Sequence, residues 1–356
     1  MHRATQMGRG GLLKAFRPTW TKNPCLPSFF SNPSSSSSSS FSLCSHFYAT
    51  TSKEHNGGGG GMLSKEQRER FRREGFLVLP ELLDRRLALR LQAKVEPLFA
   101  GEFDTGVYPD EWHWRKGMSR DDVTREIVNA WKSDTTIASV VLSERLGRII
   151  SQLMGWQGTR IAQDDVWWKP PGTAAVAFHQ DSPYFDFLEP ANEVVTCWIA
   201  LDDTTEEAGT LQYARGSHLW KPTTTNNNNA DDESGIMKDF FTSVDYQRAL
   251  RKAAAASGAQ PDIVSVEVPI GGCAFHDGRL WHGSGKNVSK DRIRRSLAVH
   301  AIRHDCRFKP DNVGYIYGRY KMHGKTEMEE TFFPITWRED GYRSPSIAHY
   351  AADPLA

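Results

Sequence analysis

The sequence predicts a mainly β fold with flanking helices, either a barrel or a two-sheet jelly roll. Seven short apolar stretches follow residue 160 and are separated by turn residues. This spacing is typical of barrels and sandwiches, whereas a β-α-β array would place a helical pattern after each strand. Helical patterns instead lie mostly before residue 160. The seven stretches span residues 161–169, 175–181, 193–203, 209–217, 263–270, 272–282 and 294–303.

Length and composition allow one large domain or two small ones with a substantial apolar core. The chain has 356 residues, of which 39% are hydrophobic and 11% aromatic. Its 44 basic and 43 acidic residues leave a formal net charge of +1, which gives no electrostatic footprint for nucleic acid. The sequence contains no apolar run of about 18 residues, so we expect no membrane span.

The five cysteines, Cys25, Cys44, Cys197, Cys273 and Cys306, are odd in number and widely spaced. They form no C-x-x-C pair, so a disulfide framework or a structural zinc site is not expected. This pattern favours free thiols in a reducing compartment.

Residues 1–61 differ in composition from the rest of the chain. They are rich in basic residues and serine, including an unbroken run from Ser34 to Ser40, and contain no acidic residue before Glu54. Such leaders are typical of organelle transit peptides, and Gly57–Gly61 would act as a flexible linker. We therefore expect mitochondrial import first and plastid import second. The alternative is an unprocessed low-complexity tail on a cytoplasmic protein.

The predicted helices come first in the folded region, residues 62–350. Ser64 and Gln67 form a capping-box pattern for a helix through about Arg73, which Gly75 would end. The stretch 76–83 predicts a short strand running into a turn. Asp84 is a candidate N-cap for a second helix to about Phe99, and 124–131 and 136–154 show helical spacing of apolar residues.

A polar insertion interrupts the strands near residues 222–258. It contains Asn226–Asn229 followed by ADDESG, and then a helical pattern at 236–256. Two interpretations remain open, a lid over the mouth of the barrel and a tolerated surface insertion.

His179 and Asp181, in the stretch AVAFHQD, are candidate metal ligands. In an extended strand, side chains two residues apart point to the same face. Two histidines and one carboxylate form the facial triad of non-heme Fe(II) oxygenases, and the same ligand types also suit catalytic zinc.

The second histidine of such a site has two candidates in one strand-like segment, His276 and His282. We favour His282 because Gly283, Ser284 and Gly285 follow it, and small residues allow close approach of backbone and ligand. His276 is then a residue beside the site or in the core. The remaining candidates are weaker: His218 as a structural turn residue, His300 as core or pocket lining, and His304 without an assigned role.

Arg294 and Ser296 are two residues apart in a strand-like run and should share a face. The planar guanidinium of arginine binds a carboxylate in a bidentate manner, and a serine hydroxyl can add one hydrogen bond. The pair therefore predicts an anion site suited to the distal carboxylate of 2-oxoglutarate. The alternative is an ordinary exposed arginine, since Arg292, Arg294 and Arg295 lie close together in sequence.

These motifs, taken in order, resemble the phytanoyl-CoA dioxygenase family of Fe(II)/2-oxoglutarate-dependent oxygenases. The resemblance covers about residues 63–303 and rests on the opening EQRERFRREGFLVLPELL, then KPPG, FHQDSPYF, CWIALDDTTEEAGTLQYARGSH and LWHGSGKNVSKDRIRRSLAVH. It implies a double-stranded β-helix, which is a cupin-like jelly roll.

The resemblance implies His179, Asp181 and His282 as iron ligands and Arg294 as the residue that binds 2-oxoglutarate. The spacing from His282 to Arg294 is one residue longer than the family pattern, so Arg295 is the alternative. The co-substrate site would be completed by residues on neighbouring strands: Ser296, Ser284, Trp198, Gln163 and Lys169.

The implied function is hydroxylation of an unactivated C–H bond of a small organic or acyl-type substrate, with release of succinate and CO2. Fe(II), 2-oxoglutarate and O2 would be required, with ascorbate as a candidate reductant. Asp181 favours hydroxylation over halogenation, because halogenases of the family replace this carboxylate. The alternatives are a zinc hydrolase, an inactive binding protein of the same fold, and an oxygenase acting on a macromolecule. Substrate identity, including a CoA ester, and oligomeric state stay open.

Overall fold

The computed structural model describes residues 63–221, 245–312, 314 and 316–350. The predicted transit peptide and linker, residues 1–61, lie outside these described residues. The polar run at 226–235 and the first part of the predicted helix at 236–256 also lie outside them.

The described part of the chain contains five α-helices, none of which has both the length and the apolar character needed to cross a bilayer. The helices are α1 Lys65–Glu74, α2 Arg85–Ala100, α3 Thr135–Val141, α4 Glu144–Met154 and α5 Arg248–Ala256.

Fourteen strands follow or interleave with these helices among the described residues. They are β1 Phe76–Leu79, β2 Glu111–Trp112, β3 Arg125–Val128, β4 Gly158–Lys169, β5 Val176–His179, β6 Leu188–Glu189, β7 Val194–Ala200, β8 Leu211–Ala214, β9 Ile263–Val266, β10 Cys273–Asp277, β11 His282–Ser284, β12 Arg294–Arg303, β13 Arg307–Phe308 and β14 Ile335–Arg338.

The first helix and strand confirm the predicted start of the fold. The Gln67 backbone N–H donates to the Ser64 hydroxyl at 3.1 Å, and the Gln67 side chain accepts from the Ser64 backbone N–H at 2.8 Å. Gly75 ends α1 with φ +82°, a left-handed conformation that glycine adopts without steric cost. Asp84 caps α2 by accepting from the Leu87 backbone N–H at 2.7 Å.

The prediction of a helix at 124–131 is wrong. Residues Arg125–Val128 form β3, which pairs with β4, and a 3-10 helix spans Ala130–Lys132. A short apolar run does not decide between helix and strand, and here pairing with β4 on one side and β2 on the other decides. The predicted helix at 136–154 is two helices, because Ser143 caps a new helix and accepts from the Leu146 N–H at 3.3 Å.

Two antiparallel sheets confirm the predicted jelly roll. The larger has eight strands in the order β1-β10-β7-β12-β4-β3-β2, with β14 also pairing with β4, and the smaller has the order β5-β11-β8-β9. Residues from both sheets line one cavity, so the inner faces of the sheets face each other.

Alternation along the central strands separates the core from the cavity. On β12, Leu297 and Val299 pack outward into the large apolar cluster with α2, α3 and α4, whereas Ala298 faces the cavity. On β7, Val195 and Cys197 pack outward and Thr196 faces inward. The period of two along a strand therefore gives each strand one apolar face and one functional face.

We predict that Gly75→Ala destabilises the protein more than Gly155→Ala. Both glycines end helices with left-handed φ, +82° and +72°. A Cβ at Gly75 would lie 2.4 Å from His218 Nδ1 and 2.6 Å from Leu280 Cδ1, whereas a Cβ at Gly155 would have no described atom within 4 Å.

The Gly155 variant should lose about 1 kcal/mol from backbone strain alone. The Gly75 variant should lose a further 1–3 kcal/mol, roughly the cost of overpacking a buried site. Urea unfolding of both variants measures the difference, and equal losses would contradict the packing argument.

Candidate active site

A cavity of about 440 Å³ lies between the two sheets. The smaller sheet contributes residues from β5, β8 and β11, and the larger sheet contributes residues from β2, β3, β4, β7, β10 and β12. Much of the wall is apolar or aromatic, including Val176, Phe185, Leu211 and Ile316. A concave, mostly apolar cavity with a few polar groups is the usual form of a small-molecule site.

His179 and Asp181 meet in this cavity, although not by the predicted strand geometry. Strand β5 ends at His179, and Asp181 follows with φ −78° and ψ −38°, immediately before the 3-10 helix Ser182–Phe185. The His179 Nε2 and Asp181 Oδ1 atoms are 3.6 Å apart. A turn therefore brings the two side chains together, and the assumption of one extended strand is wrong.

His282 joins them from the neighbouring strand. It opens β11 directly opposite His179 in the antiparallel register, and the two ring centroids are 4.2 Å apart. Its Nε2 lies 3.4 Å from Asp181 Oδ1. The three side chains are buried, and their ligand atoms lie within 4.8 Å of one another.

The hydrogen bonds of the two imidazoles suit them for metal binding. His179 Nδ1 lies 2.8 Å from the Ala177 carbonyl, and His282 Nδ1 lies 2.9 Å from the Leu280 carbonyl. A carbonyl only accepts, so we assign the proton to Nδ1 and the free lone pair to Nε2. Burial lowers the pKa of His282 to about 4, so its ring is neutral at neutral pH. The donor set therefore fits a divalent metal ion.

The second oxygen of Asp181 is bound by the protein. Its Oδ2 accepts from His276 Nε2 at 3.0 Å and from the Thr196 hydroxyl at 2.5 Å. His276 Nδ1 in turn lies 2.9 Å from the Tyr213 hydroxyl. Burial and the nearby His282 lower the pKa of His276 to about 4. His276 is therefore a neutral donor that orients Asp181, which leaves Oδ1 directed toward His179 and His282.

His300 also lies in the cavity wall. It contacts the carboxylate of Asp165 directly and is linked to the carboxylate of Asp181 by the Thr196 hydroxyl. Its Nε2 lies 2.7 Å from Asp165 Oδ2, and its Nδ1 lies 2.8 Å from the Thr196 hydroxyl that donates to Asp181. Both ring nitrogens must therefore donate. Burial opposes this charged form, but the hydrogen bond and charge of Asp165 outweigh it and raise the pKa of His300.

The two other histidines weighed in the sequence analysis, His218 and His304, do not join this group. His218 lies in the 3-10 helix Ser217–Leu219, and its Nε2 bonds to the Arg72 carbonyl at 3.0 Å. His304 follows β12, and its backbone N–H donates to the Gly158 carbonyl at 3.1 Å.

Arg294 is buried and lines the cavity. Its Nη1 donates to the Ser296 hydroxyl at 3.2 Å, and its guanidinium carbon lies 5.6 Å from the ring centroid of Trp198. Its buried Nε has no hydrogen-bond partner among the described residues. Burial lowers the pKa of Arg294 to about 10, which leaves the group charged at neutral pH. A buried cation with an unused donor points to an anionic ligand.

Arg295 faces away from the cavity, as alternation on β12 requires. Its Nε and Nη2 donate to the two oxygens of Asp202 at 2.9 and 2.7 Å. The guanidinium of Arg295 is thus already paired with a carboxylate. The structure therefore places Arg294, and not Arg295, on the cavity wall.

The other predicted residues around Arg294 have different positions. Ser284 and Gln163 line the cavity, and the Gln163 amide donates to Asp165 Oδ1 at 2.7 Å. Lys169 lies behind the wall, where its Nζ donates to the Ser284 hydroxyl at 3.1 Å and to the Ala174 carbonyl at 2.8 Å. Burial, together with the charge of Arg294, holds the pKa of Lys169 well below its usual value.

Sequence reasoning missed several residues of this cavity or its support, among them Asp165, Thr196, Tyr213 and Glu126. Thr196 could have been noticed as the polar residue inside the buried run VVTCWIA. Tyr213 lies opposite His282 in the β8–β11 register, which no local pattern indicates. Glu126 faces the cavity from β3. The incorrect prediction of a helix at 124–131 gave no reason to expect its side chain there.

Comparison with known proteins places these features in a family. The family model for phytanoyl-CoA dioxygenases matches residues 71–296. A probable alpha-ketoglutarate-dependent hypophosphite dioxygenase of Stutzerimonas stutzeri is 23% identical over 241 residues, which cover 67% of this chain and 79% of that protein. Dioxygenase aneA of Aspergillus aculeatus is 27% identical over 134 residues, 36% of this chain but only 35% of that relative's length.

Solved structures share the fold. The non-heme alpha ketoglutarate dependent carbocyclase SnoK from nogalamycin biosynthesis superposes with a TM-score of 0.59 at 24% identity, covering 78% of this chain and 99% of that chain. EctD from S. alaskensis, with 2-oxoglutarate and 5-hydroxyectoine, superposes with a TM-score of 0.53 at 19% identity, covering 69% of this chain and 78% of that chain. At these identities the superposition shows the jelly-roll fold alone.

We predict that His276→Phe weakens metal binding by roughly 10- to 100-fold, because the Asp181 carboxylate loses a donor that orients it. Tyr213→Phe keeps His276 in place and should weaken binding less. His323→Phe, at an exposed position, is the control. Calorimetric titration with Mn²⁺ measures the affinities, and circular dichroism checks folding. A folded His276 variant with unchanged affinity would exclude the orienting role.

Proposed function

This chain belongs to the phytanoyl-CoA dioxygenase family, and from that premise we propose that it is an Fe(II)/2-oxoglutarate-dependent dioxygenase. The proposed reaction hydroxylates an unactivated C–H bond of a small organic substrate and releases succinate and CO2. The observation that carries the proposal is the convergence of His179, Asp181 and His282 with the buried cation Arg294 in one cavity.

His179, Asp181 and His282 would hold the ferrous ion. Their neutral imidazoles and single directed carboxylate oxygen match the ligand set of non-heme Fe(II) oxygenases. When bound, the iron and 2-oxoglutarate supply the oxidising chemistry, and the protein supplies orientation and environment.

Arg294 would bind the distal carboxylate of 2-oxoglutarate. Its unused Nε and its Nη groups form the planar donor fork that fits a carboxylate, and Ser296 offers a hydroxyl beside it. Ser284, which Lys169 holds from behind, lies on the same cavity wall. The low dielectric of this buried site strengthens the attraction between guanidinium and carboxylate.

The apolar wall would exclude water from the reacting centre. Phe185 packs 5.6 Å from the His300 ring, and Tyr184 packs edge-on at 6.2 Å from the His179 ring. A dry site protects a reactive intermediate from side reactions.

A zinc hydrolase on the same barrel is the alternative, because two histidines and a carboxylate also suit zinc. Such an enzyme has no need for an unpaired arginine beside the metal, and the relatives are named as dioxygenases. An inactive binding protein is disfavoured by the three metal-ligand candidates and Arg294 being present together.

Succinate formation tests the function directly. The wild-type protein, supplied with Fe(II), 2-oxoglutarate and O2, should release succinate even without its substrate, at a slow uncoupled rate. His179→Ala and Asp181→Ala should lower this rate by about 100-fold or more, because mutation of even a residue that only orients a metal ligand costs about 10- to 100-fold. Wild-type activity in both variants would refute the ligand assignment, and hydrolysis that proceeds without O2 would favour the zinc alternative.

A second test separates Arg294 from Arg295. Arg294→Lys keeps the charge but loses the planar fork, and Arg294→Ala loses both. We expect the KM for 2-oxoglutarate to rise roughly 10-fold in the first variant and 100-fold or more in the second, since removing one partner of a buried charged pair costs about 2–5 kcal/mol. Arg295→Ala is the matched control and should leave this KM within about threefold. A larger rise of this KM in Arg295→Ala than in the Arg294 variants would instead identify Arg295 as the residue that binds 2-oxoglutarate.

A further inference from the structure

One flank of the cavity carries carboxylates. Glu126 and Val128 face the cavity from β3, Asp165 faces it from β4, and Glu111 faces it from β2. In the antiparallel register, Glu111 and Asp165 lie on either side of Val128, so all three lie in one row across the sheet. Glu126 is two residues from Val128 and is diagonal to both carboxylates, a spacing of about 7–8 Å between Cα atoms.

Most other charged groups of the cavity have a partner or an assigned ligand. Asp165 is bound by His300 and Gln163. Asp181 belongs to the metal-ligand group, and Arg294 faces the proposed co-substrate.

Glu126 differs from these groups, because its carboxyl makes no hydrogen bond or ion pair with the described residues and is directed at the cavity. Burial and the charges of Asp165 and Glu111 raise the pKa of Glu126 well above its usual value. A nearby cation would relieve this repulsion and favour the ionised carboxylate.

The cavity itself, independently of its acidic flank, is built for ligands. The buried guanidinium of Arg294 has an unused donor and lies on β12, two strands from β3. At a strand spacing of about 4.8 Å, β3, which carries Glu126, lies roughly 10 Å from the strand that carries this cation. The same cavity therefore has a basic wall for the co-substrate and an acidic wall that the co-substrate does not need.

We propose that the substrate carries a cationic group, a protonated amine or amidine, that binds to Glu126 on the acidic flank formed with Glu111 and Asp165. This inference rests on the proposed oxygenase function and names its substrate class. The C–H bond to be hydroxylated belongs to the same molecule, which must be small because the co-substrate shares the cavity of about 440 Å³.

The acidic flank disfavours the anionic alternatives. A carboxylate, a phosphonate or the phosphates of a CoA ester would meet acceptor oxygens on this wall, and its charge would add to the repulsion that already raises the pKa of Glu126. A neutral apolar ligand would leave the Glu126 carboxyl without a partner. Only a cationic group or a strong hydrogen-bond donor gives the Glu126 carboxyl a partner.

Binding of isosteric probes tests the proposal without turnover. The protein loaded with Fe(II) and 2-oxoglutarate, kept anaerobic, is titrated calorimetrically with amines and their alcohol and carboxylate isosteres. The amines are butylamine, benzylamine and cyclohexylmethylamine. At least one amine should bind roughly 10-fold or more tightly than both of its isosteres, as expected for a charge-assisted hydrogen bond.

Glu126→Gln provides the decisive variant, because glutamine mimics the protonated carboxyl in shape and should leave the fold intact. It should weaken amine binding roughly 10- to 100-fold and leave alcohol binding unchanged. Glu81→Gln, at an exposed position, is the matched control and should behave as wild type. Thermal unfolding of each variant checks that the fold is retained.

The outcomes separate this inference from the proposed function. If no amine binds more tightly than its isosteres, or if Glu126→Gln leaves the amine-to-alcohol preference unchanged, the cationic substrate class is excluded. An amine preference in a protein that never forms succinate would instead exclude the oxygenase function while keeping the acidic binding wall. Succinate formation without any amine preference would support the oxygenase function and exclude the cationic substrate class.

Discussion

The site depends on the two carboxylate oxygens of Asp181, which have different neighbours. One oxygen faces the Nε2 atoms of His179 and His282, and the other is bound by His276 and Thr196. Because the second oxygen is occupied, the carboxylate is fixed in one orientation before any ligand arrives. Every residue in this arrangement is buried, so an error in any one would leave an unpaired polar group in a low-dielectric interior.

Two kinds of ionisable group lie in the walls of this cavity. Lys169 and Arg295 have protein partners, and their positions follow ordinary rules of polar satisfaction. Arg294 and Glu126 keep unused hydrogen-bonding capacity on the cavity wall. Such groups lower the stability of the empty protein, and binding of complementary ligands offsets the cost. The same feature that weakens the fold thus gives the cavity its selectivity.

The sequence predicted the jelly roll and the candidate triad, because strand alternation and the His-x-Asp motif are local signals. It did not predict how Asp181 reaches the site, since the end of β5 depends on pairing with β11. The sequence favoured Arg294, but the spacing from His282 left Arg295 open, and the alternation of β12 separates them by placing Arg294 on the cavity wall. Thr196 and Glu126 required the sheet register, which places residues from distant segments side by side. Local propensity does not encode these long-range pairings.

The two walls of the cavity carry different tasks. Both candidate histidine ligands lie on the smaller sheet, whereas Arg294 and the acidic flank lie on the larger one. Strands β2 and β3 form one outer edge of that larger sheet, and neither pairs with β5 or β11, which carry the two histidines. Substitutions on β2 and β3 can therefore change which substrate binds, while the residues of the candidate metal site stay the same. A fold divided in this way can acquire new substrates while it keeps one reaction.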